Sequence, residues 1–184
     1  MNRLELEPTS TLVLCVDWQE RLCAAMPSDL VAAATRNVTH LLTLAGRLDL
    51  PVVASEQYPQ GLGGTVAEVA ALLPHPAHAK VTFSAWRAPE VRAALEAAGR
   101  TQIVLVGMET HICVYQTARD LVGAGYAVHV PIDAVASRTS ANVGAGLDLL
   151  RSAGVQTTCT EAVLFDLLKE GRGEAFKEVS RRIR

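Results

Sequence analysis

Short apolar runs alternate with longer segments of helical periodicity along the chain, and this pattern predicts its fold. An unbroken apolar run is typical of a strand that is buried on both faces of a parallel sheet. Between the runs, apolar residues recur at spacings of three and four, which predicts amphipathic helices. The predicted strands are residues 11–16, 50–54, a short strand that ends at Lys80, 103–106, 126–132 and 155–159.

Strands that alternate with helices indicate an α/β protein with right-handed crossovers. We therefore predict a doubly wound, Rossmann-like three-layer sandwich around a six-stranded, mainly parallel sheet. The chain of 184 residues fits one domain, residues 1–184. The predicted helices are residues 28–48, 65–73, 89–98, 111–122 and 141–153, together with most of the remaining C-terminal segment.

The stretch around Cys113 is the one on which the functional interpretation depends. An apolar run at residues 103–106 leads through Gly107 to Thr110, which we expect to cap a helix over residues 111–122. Cys113 would then lie in the first helical turn, at the carboxyl end of a central strand, where open α/β sheets bind ligands. A helix N-terminus favours negative charge, so we expect the pKa of this thiol to be lower than that of a free cysteine. The alternative is a buried structural cysteine.

Two further polar residues follow strand-like runs. Asp17 comes directly after the first predicted strand, and Lys80 ends the third. Because the carboxyl ends of parallel strands share one edge of the sheet, both side chains can meet Cys113 in one crevice. A thiol beside an ammonium and a carboxylate is a suitable nucleophile, with the carboxylate as proton acceptor and donor. Each residue taken singly is also typical of a solvated loop.

Composition narrows the class of protein. Hydrophobic residues make up 49% and charged residues 20%, as in ordinary α/β proteins, and the net charge of −2 gives no footprint for nucleic acid or an anionic membrane. We expect a small-molecule substrate and a cytoplasmic location, since the acidic N-terminus does not resemble a signal peptide and no run reaches the length of a membrane span. Four cysteines lie far apart, without the spacing of a disulfide framework or a zinc site: Cys15, Cys23, Cys113 and Cys159.

Three motifs resemble those of the isochorismatase-like cysteine hydrolases. They are DWQERL at residues 17–22, KVTFSAW at residues 80–86 and GMETHIC at residues 107–113. The loop SEQYPQGLG at residues 55–63 is similar to the branch that contains isochorismatase domain-containing proteins. The resemblance covers nearly the whole chain and implies the same α/β fold.

The resemblance also implies roles for individual residues. It makes Cys113 the nucleophile, Asp17 the general acid and base, and Lys80 the cation of a triad. It further implies a cis peptide bond between Met108 and Glu109, with the backbone N–H groups of Glu109 and Cys113 turned to an oxyanion. The implied reaction is cleavage of a C–N bond, in an amide or ureido compound, through a thioester on Cys113.

Departures from the family pattern refine this prediction. Nicotinamidases hold a metal through histidines that follow the second strand, whereas residues 55–59 here read SEQYP. We therefore predict neither a metal nor another cofactor. A complete triad favours carbonyl chemistry, while the alternatives are an isochorismatase-type ether hydrolase, a catalytically weak scaffold that keeps the fold, and a peroxide-sensing thiol.

The sequence also bears on the substrate pocket and on self-association. Phe83 and Trp86 are as plausible in core packing or at an interface as they are in the pocket. A homo-oligomer, a dimer or larger, is expected mainly from the resemblance. Apolar residues at helical spacing in the C-terminal segment pack either on a partner or on the sheet of the same chain. The predicted pocket residues flank the triad in sequence: Leu22, Gln57, Phe83, Trp86 and Ile112.

Overall fold

The computed structural model describes residues 4–183, which form a parallel sheet between two layers of helices. The sheet follows the order β3-β2-β1-β4-β5-β7, with β6 paired to the end of β4. All of these strand pairs are parallel. The strands are β1 (Thr11–Val16), β2 (Val52–Gln57), β3 (His78–Lys80), β4 (Gln102–Met108), β5 (Ala127–Pro131), β6 (Val135–Ala136) and β7 (Gln156–Thr158).

The predicted fold class is confirmed, with two corrections to the strands. The second strand begins and ends later than residues 50–54, because its polar end pairs with β3, where Ser55 lies opposite His78. Strand β6 was missed because two residues carry no periodic pattern. The order of the six main strands reverses between β1 and β4, which is where ligands bind in doubly wound sheets.

Helices cover both faces of the sheet. No helix within residues 4–183 combines the length and apolar character needed to cross a bilayer. A single 3₁₀ turn spans Ala85–Arg87, and a π-helical turn spans Thr110–Val114. The α-helices are α1 (Glu20–Ala24), α2 (Ser28–Arg47), α3 (Pro59–Leu62), α4 (Ala67–Ala70), α5 (Pro89–Ala97), α6 (Tyr115–Gly123), α7 (Ser140–Ser152), α8 (Thr160–Leu168) and α9 (Glu174–Arg182).

Two hydrophobic cores lie on opposite faces of the sheet, and β1 contributes side chains to both. Its side chains alternate between the faces, as the period of a strand requires. Val13 and Cys15 belong to the core beneath α2, α8 and α9, while Leu12, Leu14 and Val16 belong to the core beneath α5, α6 and α7. A strand buried on both faces is therefore held in register from both sides.

The C-terminal apolar residues pack mainly on their own chain. Val179 is buried in the first core, and Leu168 and Ile183 pack against it. The rings of Phe165 and Phe176 contact each other with centroids 6.2 Å apart. Because this segment has a partner within the chain, it lends no support to self-association, and the homo-oligomer stays a prediction.

Gly107 allows β1 and β4 to approach closely at their carboxyl ends. Its φ of 148° lies in a region that side chains rarely adopt, and a Cβ atom there would lie 2.3 Å from the carbonyl oxygen of Val16. Asp17 follows Val16 directly. The glycine thus brings the end of β4 against the residue that precedes the carboxylate.

Candidate active site

Asp17 begins the site at the end of β1. Its φ of 55° is left-handed, a conformation that aspartate tolerates better than most residues. The backbone N–H donates to the carbonyl of Ser55 at 3.0 Å, and the Ser55 hydroxyl donates to Asp17 Oδ1 at 2.8 Å. Strand β2 therefore fixes both the backbone and the carboxylate of Asp17.

Lys80 reaches this carboxylate from the end of β3. Its Nζ lies 2.7 Å from Asp17 Oδ2, and the side chains of both residues are 0% exposed. The ammonium also donates to Gln57 Oε1 at 2.7 Å and to the carbonyl oxygens of Thr82 at 3.1 Å and Phe83 at 3.3 Å. Such additional acceptors help to stabilise a buried ion pair, and here the three N–H groups of the ammonium are shared among four acceptors.

Cys113 lies in the π-helical turn that precedes α6, and not in the first turn of an α-helix as predicted. The Thr110 hydroxyl does not cap this turn, because it donates to the carbonyl of Ala136 at 3.1 Å. Cys113 is 6% exposed, and its thiol is close enough to Asp17 for the charge of the carboxylate to raise the pKa of the thiol. The structure therefore brings Asp17, Lys80 and Cys113 together at the switch point between β1 and β4.

The expected lowering of the thiol pKa is wrong. Burial, followed by the negative charge of Asp17, raises the pKa of Cys113 to about 12, while Lys80 acts in the opposite direction. The physical reason is first that the thiol is buried, and second that the Asp17 carboxylate acts on it while the Lys80 ammonium is paired with that carboxylate. Burial likewise raises the pKa of Asp17, against the lowering effect of Lys80. In the resting site the thiol keeps its proton, and a carboxylate lies beside it as an acceptor.

The peptide bond between Met108 and Glu109 is cis. The Glu109 carboxylate, which is buried, accepts hydrogen bonds from the backbone N–H of Arg138 at 3.1 Å and from its guanidinium Nε at 3.0 Å. Its charge adds to the raised pKa of Cys113. The Glu109 side chain is thus tied to Arg138, and only its backbone is available for the predicted oxyanion role.

Four of the predicted pocket residues have distinct surroundings. Gln57 faces Lys80 and donates through Nε2 to the carbonyl of Val81 at 2.9 Å, so it holds the lysine instead of forming a bare pocket wall. Phe83 is 55% exposed on the loop whose carbonyl receives the Lys80 ammonium. Leu22 and Ile112 are half-buried and pack against the first and second core, respectively.

Trp86 packs against residues outside the triad. Its ring packs edge-on against Tyr126, with centroids 5.6 Å apart, and lies beneath the guanidinium of Arg92 at 4.8 Å. Tyr126 precedes β5 and so marks the amino end of the sheet, whereas Asp17 and Cys113 follow carboxyl ends. Trp86 therefore packs between α5 and α6, which is the packing alternative raised by the sequence.

Ser55 and Gln19 are site residues that the sequence analysis missed. Ser55 holds Asp17 by a hydrogen bond. The sequence feature that could have indicated it is a polar residue at the buried end of a strand. Gln19, also buried, accepts a hydrogen bond from Gln57 N at 2.7 Å and donates to the carbonyl oxygens of Gln57 at 3.0 Å and Gly63 at 2.7 Å. The sequence feature that could have indicated Gln19 is its position two residues after Asp17. Gln19 joins the loop after β2 to the loop after β1.

Residues 4–183 contain no group of three or more histidine, cysteine, aspartate or glutamate side chains arranged to hold a metal ion. The positive charge in the site is that of Lys80. The chemistry that these residues support by themselves is proton transfer between a thiol and a carboxylate.

A family model and the most similar relatives assign the chain to the same family. The isochorismatase domain matches residues 11–162. The chain is 39% identical over 177 residues to isochorismatase domain-containing protein 1 of Danio rerio, which covers 95% of this chain but 61% of that protein. It is 37% identical to isochorismatase domain-containing protein 2 of Xenopus laevis over 178 residues, covering 95% of this chain and 83% of that protein.

A solved structure extends the comparison to the fold. The MAR1 ribonuclease of Caenorhabditis elegans superimposes with a TM-score of 0.89 and 31% identity, covering 97% of this chain and 92% of that chain. The likeness therefore includes the whole sheet and both helical layers.

Proposed function

Because the chain belongs to the isochorismatase family, we propose that it is a cysteine hydrolase that cleaves a C–N bond in a small molecule. The observation that carries this proposal is a buried carboxylate, Asp17, which pairs with the Lys80 ammonium at 2.7 Å and acts electrostatically on the nearby Cys113 thiol. An acid and base next to a nucleophile is the arrangement that acyl transfer needs. An amide or ureido compound is the proposed substrate.

In the proposed reaction, Asp17 takes the proton of Cys113 as the sulfur attacks the carbonyl carbon. The protonated Asp17 then gives this proton to the leaving nitrogen, the C–N bond breaks, and a thioester remains on Cys113. Asp17 next takes a proton from water, which attacks the thioester, and the proton returns to the thiol as the acid leaves. Burial raises the pKa of both groups, and this favours a proton that stays within the pair during the exchange.

The proposed role of Lys80 is to orient Asp17 and to limit the rise of its pKa. For the tetrahedral intermediate, we propose the backbone N–H groups of Glu109 and Cys113 as donors to the oxyanion. Phe83 and Ile112 are proposed to contact the substrate at the mouth of the site.

The test is a screen of small amides and ureido compounds for amine release, followed by acid quench and mass spectrometry of the peptide that contains Cys113. We expect an acyl adduct on Cys113 and a loss of turnover of roughly 10³-fold or more in Cys113→Ala and in Asp17→Asn. Cys159→Ala, which removes an exposed cysteine, is the matched control and should turn over normally.

Other outcomes separate the alternatives. Turnover of a vinyl ether that needs Asp17 but survives Cys113→Ala would identify an isochorismatase-type ether hydrolase. RNA is a second candidate substrate, because the Caenorhabditis elegans relative is described as a ribonuclease. The net charge of −2 and the buried triad favour a small molecule over RNA. Cleavage of an RNA oligonucleotide that Cys113→Ala abolishes would reverse this preference.

A further inference from the structure

Helix α7 packs directly on the turn that carries Cys113, and a glycine makes this possible. A Cβ atom at Gly146 would lie 2.8 Å from the backbone nitrogen of His111 and 2.9 Å from the carbonyl carbon of Thr110. Both are main-chain atoms, which cannot rotate away as the end of a side chain can. A side chain at Gly146 would therefore displace either the helix or the turn.

A second contact holds the same turn by hydrogen bonds. The hydroxyl of Ser137, which is fully buried, accepts from the backbone N–H of Thr110 at 3.1 Å and lies 3.1 Å from His111 Nδ1. The direction of the second contact follows from the tautomer of His111, and in either direction it joins Ser137 to the turn.

These two contacts bear on the nucleophile because Cys113 and Asp17 come from different parts of the fold. Asp17 is fixed by β2 through Ser55, whereas Cys113 is carried by a turn with its own supports. The thiol and the carboxylate come together only if this turn is held in the correct position at the carboxyl end of the sheet. Small displacements of a nucleophile are sufficient to reduce catalysis.

We infer that Gly146 and Ser137 are positioning residues that set the contact between the Cys113 thiol and the Asp17 carboxylate. Neither touches the reacting atoms. Gly146 lets α7 press on the turn, and Ser137 ties the same turn to the segment that follows β6. This inference rests on the proposed function, because it assigns a purpose to the contact between Cys113 and Asp17.

The test measures the electrostatic coupling of these two groups without a substrate. Alkylation of Cys113 by iodoacetamide at pH 8 is followed by peptide mapping, and the rate in Asp17→Asn is divided by the rate with Asp17 present. Removal of the carboxylate charge should lower the thiol pKa and raise this ratio to about ten or more. The same ratio is then measured in Gly146→Ala and Ser137→Ala backgrounds. A change in access to the thiol cancels, because both rates in each ratio come from the same background.

We expect the ratio to fall to about two or three in Gly146→Ala and Ser137→Ala, because the displaced thiol is exposed to water and distant from Asp17. Gly144→Ala is the matched control. It lies in the same helix, is exposed and has space for a Cβ atom, so its ratio should equal that of the wild type. Ser140→Ala, at an exposed position, serves in the same way for Ser137→Ala.

Near-ultraviolet circular dichroism checks that each variant is folded, and Ser137→Ala decides the question if Gly146→Ala is not. An unchanged ratio in a folded Gly146→Ala and in Ser137→Ala would overturn the positioning inference and leave the proposed function intact. A ratio near one in the wild-type background would instead contradict the proposed function, and the inference would fail with it.

Discussion

Cys15 and Cys113 have the same shifted pKa in two different settings. Both thiols are buried, at 1% and 6% exposure, and burial is the largest cause that raises each pKa to about 12. Cys15 lies near the carboxyl end of β1 among apolar side chains of the first core, and the charge of Asp17 adds to its raised pKa. The charge of Asp17 also raises the pKa of Cys113, but there the Lys80 ammonium acts in the opposite direction. A raised thiol pKa therefore reports burial, and the cation near Cys113 is what distinguishes its setting from that of Cys15.

The first prediction concerns the charges that set the two thiols apart. Lys80→Met leaves the buried carboxylate of Asp17 without its cation, so the free energy of unfolding should fall by about 3 kcal/mol. Urea unfolding at neutral pH measures this change. The double variant Lys80→Met/Asp17→Asn removes both charges and should recover most of the loss.

Arg47→Met is the control for loss of an exposed ion pair. The Arg47 side chain is 61% exposed beside Glu178, and its loss should change the free energy of unfolding by less than about 1 kcal/mol. Equal effects of Lys80→Met and Arg47→Met would mean that the site around Cys113 is no more sensitive to charge than the surface.

The second prediction concerns what the two thiols share. The ordinary thiol pKa is 9.0 and the folded values are about 12, so between these limits the folded protein keeps protons that the unfolded chain has released. Stability must therefore fall as the pH rises above 9, by about 1.4 kcal/mol per pH unit for each thiol. Urea unfolding from pH 8 to 10.5 should show this decrease in the free energy of unfolding. In Cys15→Ala the decrease per pH unit should be smaller by the contribution of one thiol.

The third prediction, with the smallest expected effect, concerns a difference between the two thiols: Cys15 should matter for stability and not for turnover. Cys15→Ala removes a sulfur atom from a packed core and should lower the free energy of unfolding at neutral pH by about 1–2 kcal/mol. Turnover of any substrate found for the wild type should stay within about twofold, because Cys15 has no part in the proposed chemistry. Loss of turnover in a folded Cys15→Ala variant would show that the two cysteines are not independent.

Sequence patterns predicted the strands and the meeting of Asp17, Lys80 and Cys113, because both depend on local order along the chain. Apolar runs define the strands, and parallel strands bring their carboxyl ends to one edge. The resemblance added the roles of these residues, which remain proposals.

The errors arose where packing between distant segments decides the structure. The Thr110 hydroxyl finds the carbonyl of Ala136, which lies 26 residues away, and so it does not cap the turn. Trp86 contacts Tyr126, which belongs to another part of the fold. The direction of the Cys113 pKa shift depends first on the burial of the thiol and then on the charge of Asp17 nearby, and spacing in the sequence contains neither.

The way in which Lys80 is held has a consequence for the evolution of the site. Two of the acceptors of its ammonium are the main-chain carbonyls of Thr82 and Phe83, and every amino acid carries such a carbonyl. On the same loop, the side chains of Val81 and Phe83 are 77% and 55% exposed. Natural selection can therefore replace these exposed side chains while the buried charges keep their partners. The outer surface of this loop is free to diverge among related proteins without disturbing the ion pair beneath it.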